Sequence, residues 1–168
     1  PDSLYPLLNM MQGVVEGGTG RVVRRMGFRH PAGGKTGTTN DFKDAWFNGF
    51  TKDISTSVWV GFDNNQPMKE KSGKGLTGAS AAAPIWVYFM QKVLEGKSPV
   101  KFPVPDKIKF ATVDVQTGYF PDELSVSTMQ VAVKEDVELS APLVVSEDQE
   151  PNETDVLPEP ANTGYIKP

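Results

Sequence analysis

The chain has 168 residues, a formal net charge of −4, no cysteine and one histidine. That excludes a disulfide framework, a thiolate metal site and a cysteine nucleophile, and leaves too few imidazoles for a histidine-based metal site. The charge is uneven: Glu138 to Pro168 carries seven acids, one lysine and five prolines, and the remainder, with 16 basic and 14 acidic residues, is slightly basic.

Taken in chain order, Leu4, Leu7, Leu8, Met11, Val14 and Val15 fall at helical spacing and are expected on one buried face. Ser3 is expected to cap that helix and Gly17-Gly18 to end it. A short helical piece comes next, over about Arg21 to Met26. The period then changes. Gly33 to Thr39, Ala45 to Phe50, and Ile54 to Phe62 read as strands. The links between them, Asn40 to Lys43 and Thr51 to Asp53, are short, so the three are expected to pair as an antiparallel meander. Asn64 to Ser80 is polar and glycine-rich and reads as a long loop. A helix then begins near Pro84, where the missing N–H costs nothing, and ends at Gly96. Its stripe of Ala82, Trp86, Phe89 and Val93, with Ile85 beside it, is expected to cover the sheet. A proline-rich linker, 97–106, leads to a strand over Lys107 to Val115, a turn at Gln116-Thr117-Gly118 and a further strand over Met129 to Val133. The acidic, proline-rich segment 138–168 has little apolar surface to offset its ordering entropy and is expected to be disordered.

No basic run interleaved with aromatics points to nucleic acid. No stretch approaches the roughly 20 apolar residues of a membrane span, and no secretory leader opens the chain. Pro1 is not a natural start, so a longer parent protein is expected.

The stretch Gly34-Lys35-Thr36-Gly37-Thr38 raises two chemical readings. A phosphate loop of the form G-x-x-x-x-G-K-[ST] needs a glycine at position 29 and a helix after the lysine. Position 29 is Arg29, and the residues after Thr36 are strand-like, so this reading fails. The other reading is an edge strand. Such a strand offers backbone N–H and C=O groups to an extended peptide, and Gly37 leaves room for close approach. Lys35 supplies a cation, and Thr36 and Thr38 supply hydroxyls, a set suited to a carboxylate. Strict alternation places Lys35 and Gly37 on one face and Thr36 and Thr38 on the other, so convergence requires help from the twist of the edge.

The run "GGKTGTTNDFKDAWFNGFT", with "SVWVGFD" and "GASAAAPIWVYFMQKVLEG" after it, resembles the C-terminal half of the transpeptidase domain of class A penicillin-binding proteins. The resemblance covers about residues 2 to 96, and weakly the strand and turn from Lys107 to Gly118. It implies an α/β (α+β) fold, an antiparallel sheet flanked by helices, of the serine β-lactamase and penicillin-binding transpeptidase type, of which only the C-terminal part is present. Residues 1–96 would be that part, 107–137 a small β extension, and 138–168 the tail. It also implies roles. Lys35 would polarise the site and steer protons. Thr36, Gly37 and Thr38 would bind substrate. The Thr38 N–H would be an oxyanion-hole donor, making Lys35 and Thr38 the catalytic groups. The substrate would be a peptidoglycan stem peptide ending in D-Ala-D-Ala, with β-lactams acylating the same serine. No cofactor or metal is implied. The location would be the periplasmic face of the inner membrane, with the anchor and a glycosyltransferase domain upstream.

The family also needs S-x-x-K and S-x-N motifs, both before the lysine strand. Ser98-Pro99-Val100-Lys101 matches the first by spelling only, since it lies after the strand in the proline linker. No S-x-N occurs. The chain is therefore expected to be inactive alone and to depend on the upstream part of the same protein. A β-lactamase or D,D-carboxypeptidase on the same fold, and a non-catalytic binding module, are the rival readings. Among the remaining residues, Trp46, Phe47, Phe50, Trp59, Trp86 and Phe89 are expected in the core. His30 is expected to be exposed at the strand entry. Arg21, Arg24 and Arg25 are expected on a solvated helix face, and Asp41 and Asp44 at a turn.

Overall fold

A computed structural model describes residues 2–138; the expected acidic tail falls almost wholly outside that range. The order is helix α1 (Leu4–Glu16), a single turn α2 (Val22–Arg25), strands β1 (Gly33–Thr38), β2 (Asp44–Phe50) and β3 (Ser55–Gly61), helix α3 (Ala83–Val93), and strands β4 (Ile108–Asp114) and β5 (Thr128–Lys134). The first three strands form the expected antiparallel meander, in the order β1-β2-β3, and β4 pairs antiparallel with β5.

The meander follows from period-2 patterning. On β2, Ala45, Phe47 and Gly49 are buried while Trp46 and Asn48 between them are exposed. Alternation puts the buried set on one face, and α3 covers that face. Trp86 meets Phe47 edge-on at 5.4 Å and Phe28 at 5.2 Å, and its indole N–H donates to the Gly49 carbonyl at 3.2 Å. Gly49 is what permits this seat. A Cβ there would lie 2.6 Å from the Trp86 ring and 2.7 Å from the Phe47 ring.

The helix faces differ from the expected ones. The buried face of α3 is Ala83, Trp86, Val87 and Met90, continued by Leu94, whereas Ile85, Phe89 and Val93 are exposed. The expected stripe shares Trp86 and the buried Ala82 with it but is rotated by about one residue. On α1, Tyr5 and Val15 are buried, and the expected face fails at Leu4 and Leu7, which are exposed. Ser3 has helical dihedrals and makes no side-chain cap. Trp46 and Trp59 are not core either. They lie side by side on the outer face, 6.3 Å apart, and the Trp59 indole N–H donates to Asp44 Oδ1 at 2.8 Å.

Arg24 is a further correction. It bridges to Glu16 and donates from Nη1 to the carbonyls of Phe28 and His30, each at 2.9 Å. It is an internal clamp between α1 and the entry to β1, while Arg21 and Arg25 are exposed as expected. His30 is half-buried, its ring 5.6 Å from that of Phe28. The stretch read as a loop to Ser80 becomes helical early, in a π-helical turn over Gly78–Ala82 that runs directly into α3.

A second, smaller cluster joins Tyr5, Phe102, Ile108 and Ala132, with Leu8 and Phe50 against it. Asn9 Oδ1 on α1 accepts from the Ala132 N–H at 3.0 Å. The two-stranded sheet therefore rests on α1.

Candidate active site

β1 is an outer strand of the three-stranded sheet, and its hydrogen-bonding phase can be read from one contact. The Thr39 N–H donates to the Asp44 carbonyl at 3.1 Å. Antiparallel ladders alternate between bonded and non-bonded pairs. With Lys35 opposite Asn48 and Gly37 opposite Trp46, these become the bonded pairs. The N–H and C=O groups of Thr36 and Thr38 then point away from β2, toward the free edge. The Thr38 N–H thus points to the open side of the strand.

The side chains follow the alternation. Thr36 and Thr38 line one open groove of about 610 Å³, together with Thr19, Arg21, Arg25 and Thr77. Lys35 belongs to the opposite face, but its ammonium folds back over the edge and donates to the Thr36 carbonyl at 2.8 Å. The ammonium thus reaches the strand edge, but Lys35 is not among the residues that line the groove with Thr36 and Thr38. Gly37 opposes Trp46, and a Cβ at Gly37 would sit 3.1 Å from the Trp46 Cβ.

Both hydroxyls have partners that sequence reasoning did not name. Thr36 Oγ1 donates to Thr19 Oγ1 at 2.9 Å, across 17 residues. Thr38 Oγ1 accepts from the Gly78 N–H at 3.0 Å, across 40 residues. Sequence separation hides such pairs, since no periodicity links a helix-exit turn to a strand. The groove carries two arginines and no carboxylate among its described lining residues. It is suited to an anionic ligand.

Other candidates are elsewhere. Ser98 is exposed in the segment after α3, and Lys101 lines a different cavity beside Arg24, Arg29 and Phe102. The S-x-x-K spelling thus has no part in the groove. Asp44 is held by Thr39 and Trp59. Asp41 lies in a tight turn at φ 62°. Both serve the β1–β2 link. Among the described residues no cluster of His, Asp or Glu could hold a metal ion, and no helix is long and apolar enough to cross a membrane.

No protein-family model matches the chain. It is 35% identical over 184 residues to penicillin-binding protein 1A of Neisseria cinerea, an overlap covering 100% of this chain and 22% of that protein. It is 34% identical over 146 residues to penicillin-binding protein 1A of Rickettsia bellii, covering 87% of this chain and 17% of the relative. Among solved structures it is similar to penicillin-binding protein 1A from Haemophilus influenzae, with a TM-score of 0.64 and 30% identity over 79% of this chain and 20% of the other. The chain spans about a fifth of the length of these relatives. It is homologous to one stretch of penicillin-binding protein 1A. Its antiparallel strands flanked by helices are the mixed α/β fold of that structural neighbour.

Proposed function

We propose that this chain carries one wall of the active site of a serine D,D-transpeptidase, whose nucleophile comes from an upstream segment. The substrate is a peptidoglycan stem peptide ending in D-Ala-D-Ala, and β-lactams acylate the same serine. Residues 1–96 supply the wall, 97–106 link it to a small β extension at 107–137, and the parent protein works at the periplasmic face of the inner membrane, anchored upstream. The observation that carries this reading is the free edge of β1. There the Thr38 N–H and the Lys35 ammonium lie along the strand edge, and the Thr36 and Thr38 hydroxyls line the adjoining groove with Arg21 and Arg25.

Each group has a task under this reading. The Thr38 N–H faces the carbonyl oxygen that gains charge when the serine attacks. Removing a donor of this kind costs about 2.7–4 kcal/mol of transition-state stabilisation where it has been tested. Thr38 holds the substrate carboxylate with its free proton, and Thr36 joins it by turning its proton from Thr19 Oγ1 to the ligand. Lys35 lends a fixed positive charge near the reacting atoms. No cofactor takes part. The homology to penicillin-binding protein 1A supports the family of reaction, and the lack of a serine among the described groove residues supports inactivity of the chain alone.

The test is acylation by a fluorescent penicillin. The isolated chain should take no label, and label on Ser98 would overturn the dismissal of its motif. In the complete protein, Lys35→Ala should slow acylation by about 10- to 100-fold, as expected for a charge-assisted hydrogen bond. Thr36→Val should slow it by about 3- to 10-fold, since a neutral hydrogen bond is roughly half as strong. Melting temperatures should stay within a degree or two, and Lys52→Ala, at an exposed turn, is the control. A wild-type acylation rate for Lys35→Ala would remove the main support for this function.

A further inference from the structure

The Thr38 hydroxyl is held from a distance. An N–H group can only donate, so the Gly78 N–H occupies a lone pair of Thr38 Oγ1 and leaves the hydroxyl proton for another acceptor. A free hydroxyl rotates and can present either a lone pair or a proton. One held in this way has a lone pair engaged and its rotation restrained, and the proton it keeps free is the polarity a carboxylate needs.

The turn that supplies this N–H is built to stay in place. Gly78 is buried, and a Cβ there would run into the Trp46 carbonyl oxygen and the Gly37 backbone, so only glycine lets the turn press against β1 and β2. A reciprocal box fixes the turn from its start. The Ser80 N–H donates to Thr77 Oγ1 at 3.2 Å, and the Thr77 N–H donates to Ser80 Oγ at 2.9 Å. Such boxes satisfy two backbone donors that a helix start leaves open. Thr77 also lines the groove, whereas Ser80 does not.

We propose that Gly78, held by the Thr77–Ser80 box, is a positioning residue that sets the Thr38 hydroxyl as a proton donor to a carboxylate in the groove. This rests on the functional reading above, and the experiment separates the two. The complete protein is compared with Thr38→Val, Gly78→Ala, Ser80→Ala and the Thr38→Val/Gly78→Ala pair, by acylation rate with a fluorescent penicillin. Thr38→Val and Gly78→Ala should each slow acylation about 10-fold, and the pair should be no slower than either single variant. Contacts acting through one another are non-additive in this way, whereas independent ones multiply. A pair slowed about 100-fold, or Gly78→Ala acylating at the wild-type rate, would overturn the positioning role. If Gly78→Ala does not fold, Ser80→Ala decides. Its loss of about 3-fold should vanish in the Thr38→Val background and be rescued by Ser80→Thr, and a loss that persists in that background overturns the proposal. A wild-type rate for Thr38→Val would bring down the assignment of Thr38 itself, and the positioning role with it.

Discussion

The three-stranded sheet is backed by Phe28, Phe47, Trp86 and Met90, each at most 1% exposed, whereas the two-stranded sheet rests on Tyr5, Phe102, Ile108 and Ala132, at 4–9%. The first cluster draws on α1, α2, α3 and two strands. The second has one helix, the linker residue Phe102 and Phe50 of β2 behind it. Around the small sheet, Phe110, Phe120, Leu124 and Val126 are exposed. The difference teaches where precision is available. Groups that must be held to fractions of an ångström need neighbours locked by packing, and the candidate site lies on the edge of the well-packed sheet. The small sheet is held by a thinner apolar layer, with the Asn9–Ala132 hydrogen bond tying it to α1.

Trp86→Ala is the strongest way to break this comparison. Trp86 is fully buried between Phe28 and Phe47, and truncating a buried aromatic of this size costs about 3–5 kcal/mol. The complete protein should show a large fall in melting temperature or accumulate insoluble, and its acylation should fail with its fold. A variant with near-normal stability would show that the large cluster is not what holds the site.

Ile108→Ala tests the other side. The residue belongs to the small cluster at its rim, so the loss should fall at the low end for such truncations, about 2 kcal/mol. Acylation by penicillin at moderate temperature should remain near wild type, because no groove residue touches that cluster. If Ile108→Ala slows acylation as much as Trp86→Ala does, the two sheets are one energetic unit and the contrast fails.

The mildest effect concerns acid. Asp114, at the end of β4, accepts from the Thr117 N–H at 2.8 Å and the Gln116 N–H at 2.9 Å. The Thr117 bond is the main cause that holds its carboxyl below the ordinary range, with burial opposing it. As pH falls, the unfolded chain therefore takes up its proton first. The stabilisation is complete above the ordinary carboxylate value of about 3.9 and is lost as pH drops through the lower folded value. The protection of the Thr117 amide against hydrogen exchange, taken relative to its intrinsic rate at each pH, should fall across that window while protection in β2 is kept. Asp114→Asn should flatten the pH dependence at the turn. An unchanged acid response in that variant would remove Asp114 as the cause.

Much of the architecture is set by the sequence alone. The alternation through Asp44–Phe50 and Ser55–Gly61, with links too short for a crossover, leaves an antiparallel meander as the available pairing. The lysine strand falls at its edge for the same reason, and alternation alone separates Lys35 from Thr36 and Thr38. Tertiary structure decided the phase of the helices. α3 is apolar nearly all round, with Ile85, Tyr88 and Phe89 exposed on one side and Trp86, Val87 and Met90 buried on the other. A periodicity of 3.6 specifies spacing but not which stripe meets the sheet; the seat at Gly49, bare of a Cβ, accommodates Trp86 against Phe47. The same holds for Arg24, whose role as a clamp depends on carbonyls that arrive only when the chain turns into β1. It holds for the site as well. Lys35, Thr36 and Thr38 are legible in five consecutive residues, but Arg21 and Arg25 join the groove from a stretch read as a solvated helix face, and Thr19 and Gly78 meet the strand from 17 and 40 residues away. Hydrogen bonds at such separations carry no local signature, because they form only after the burial of apolar faces has brought the elements together.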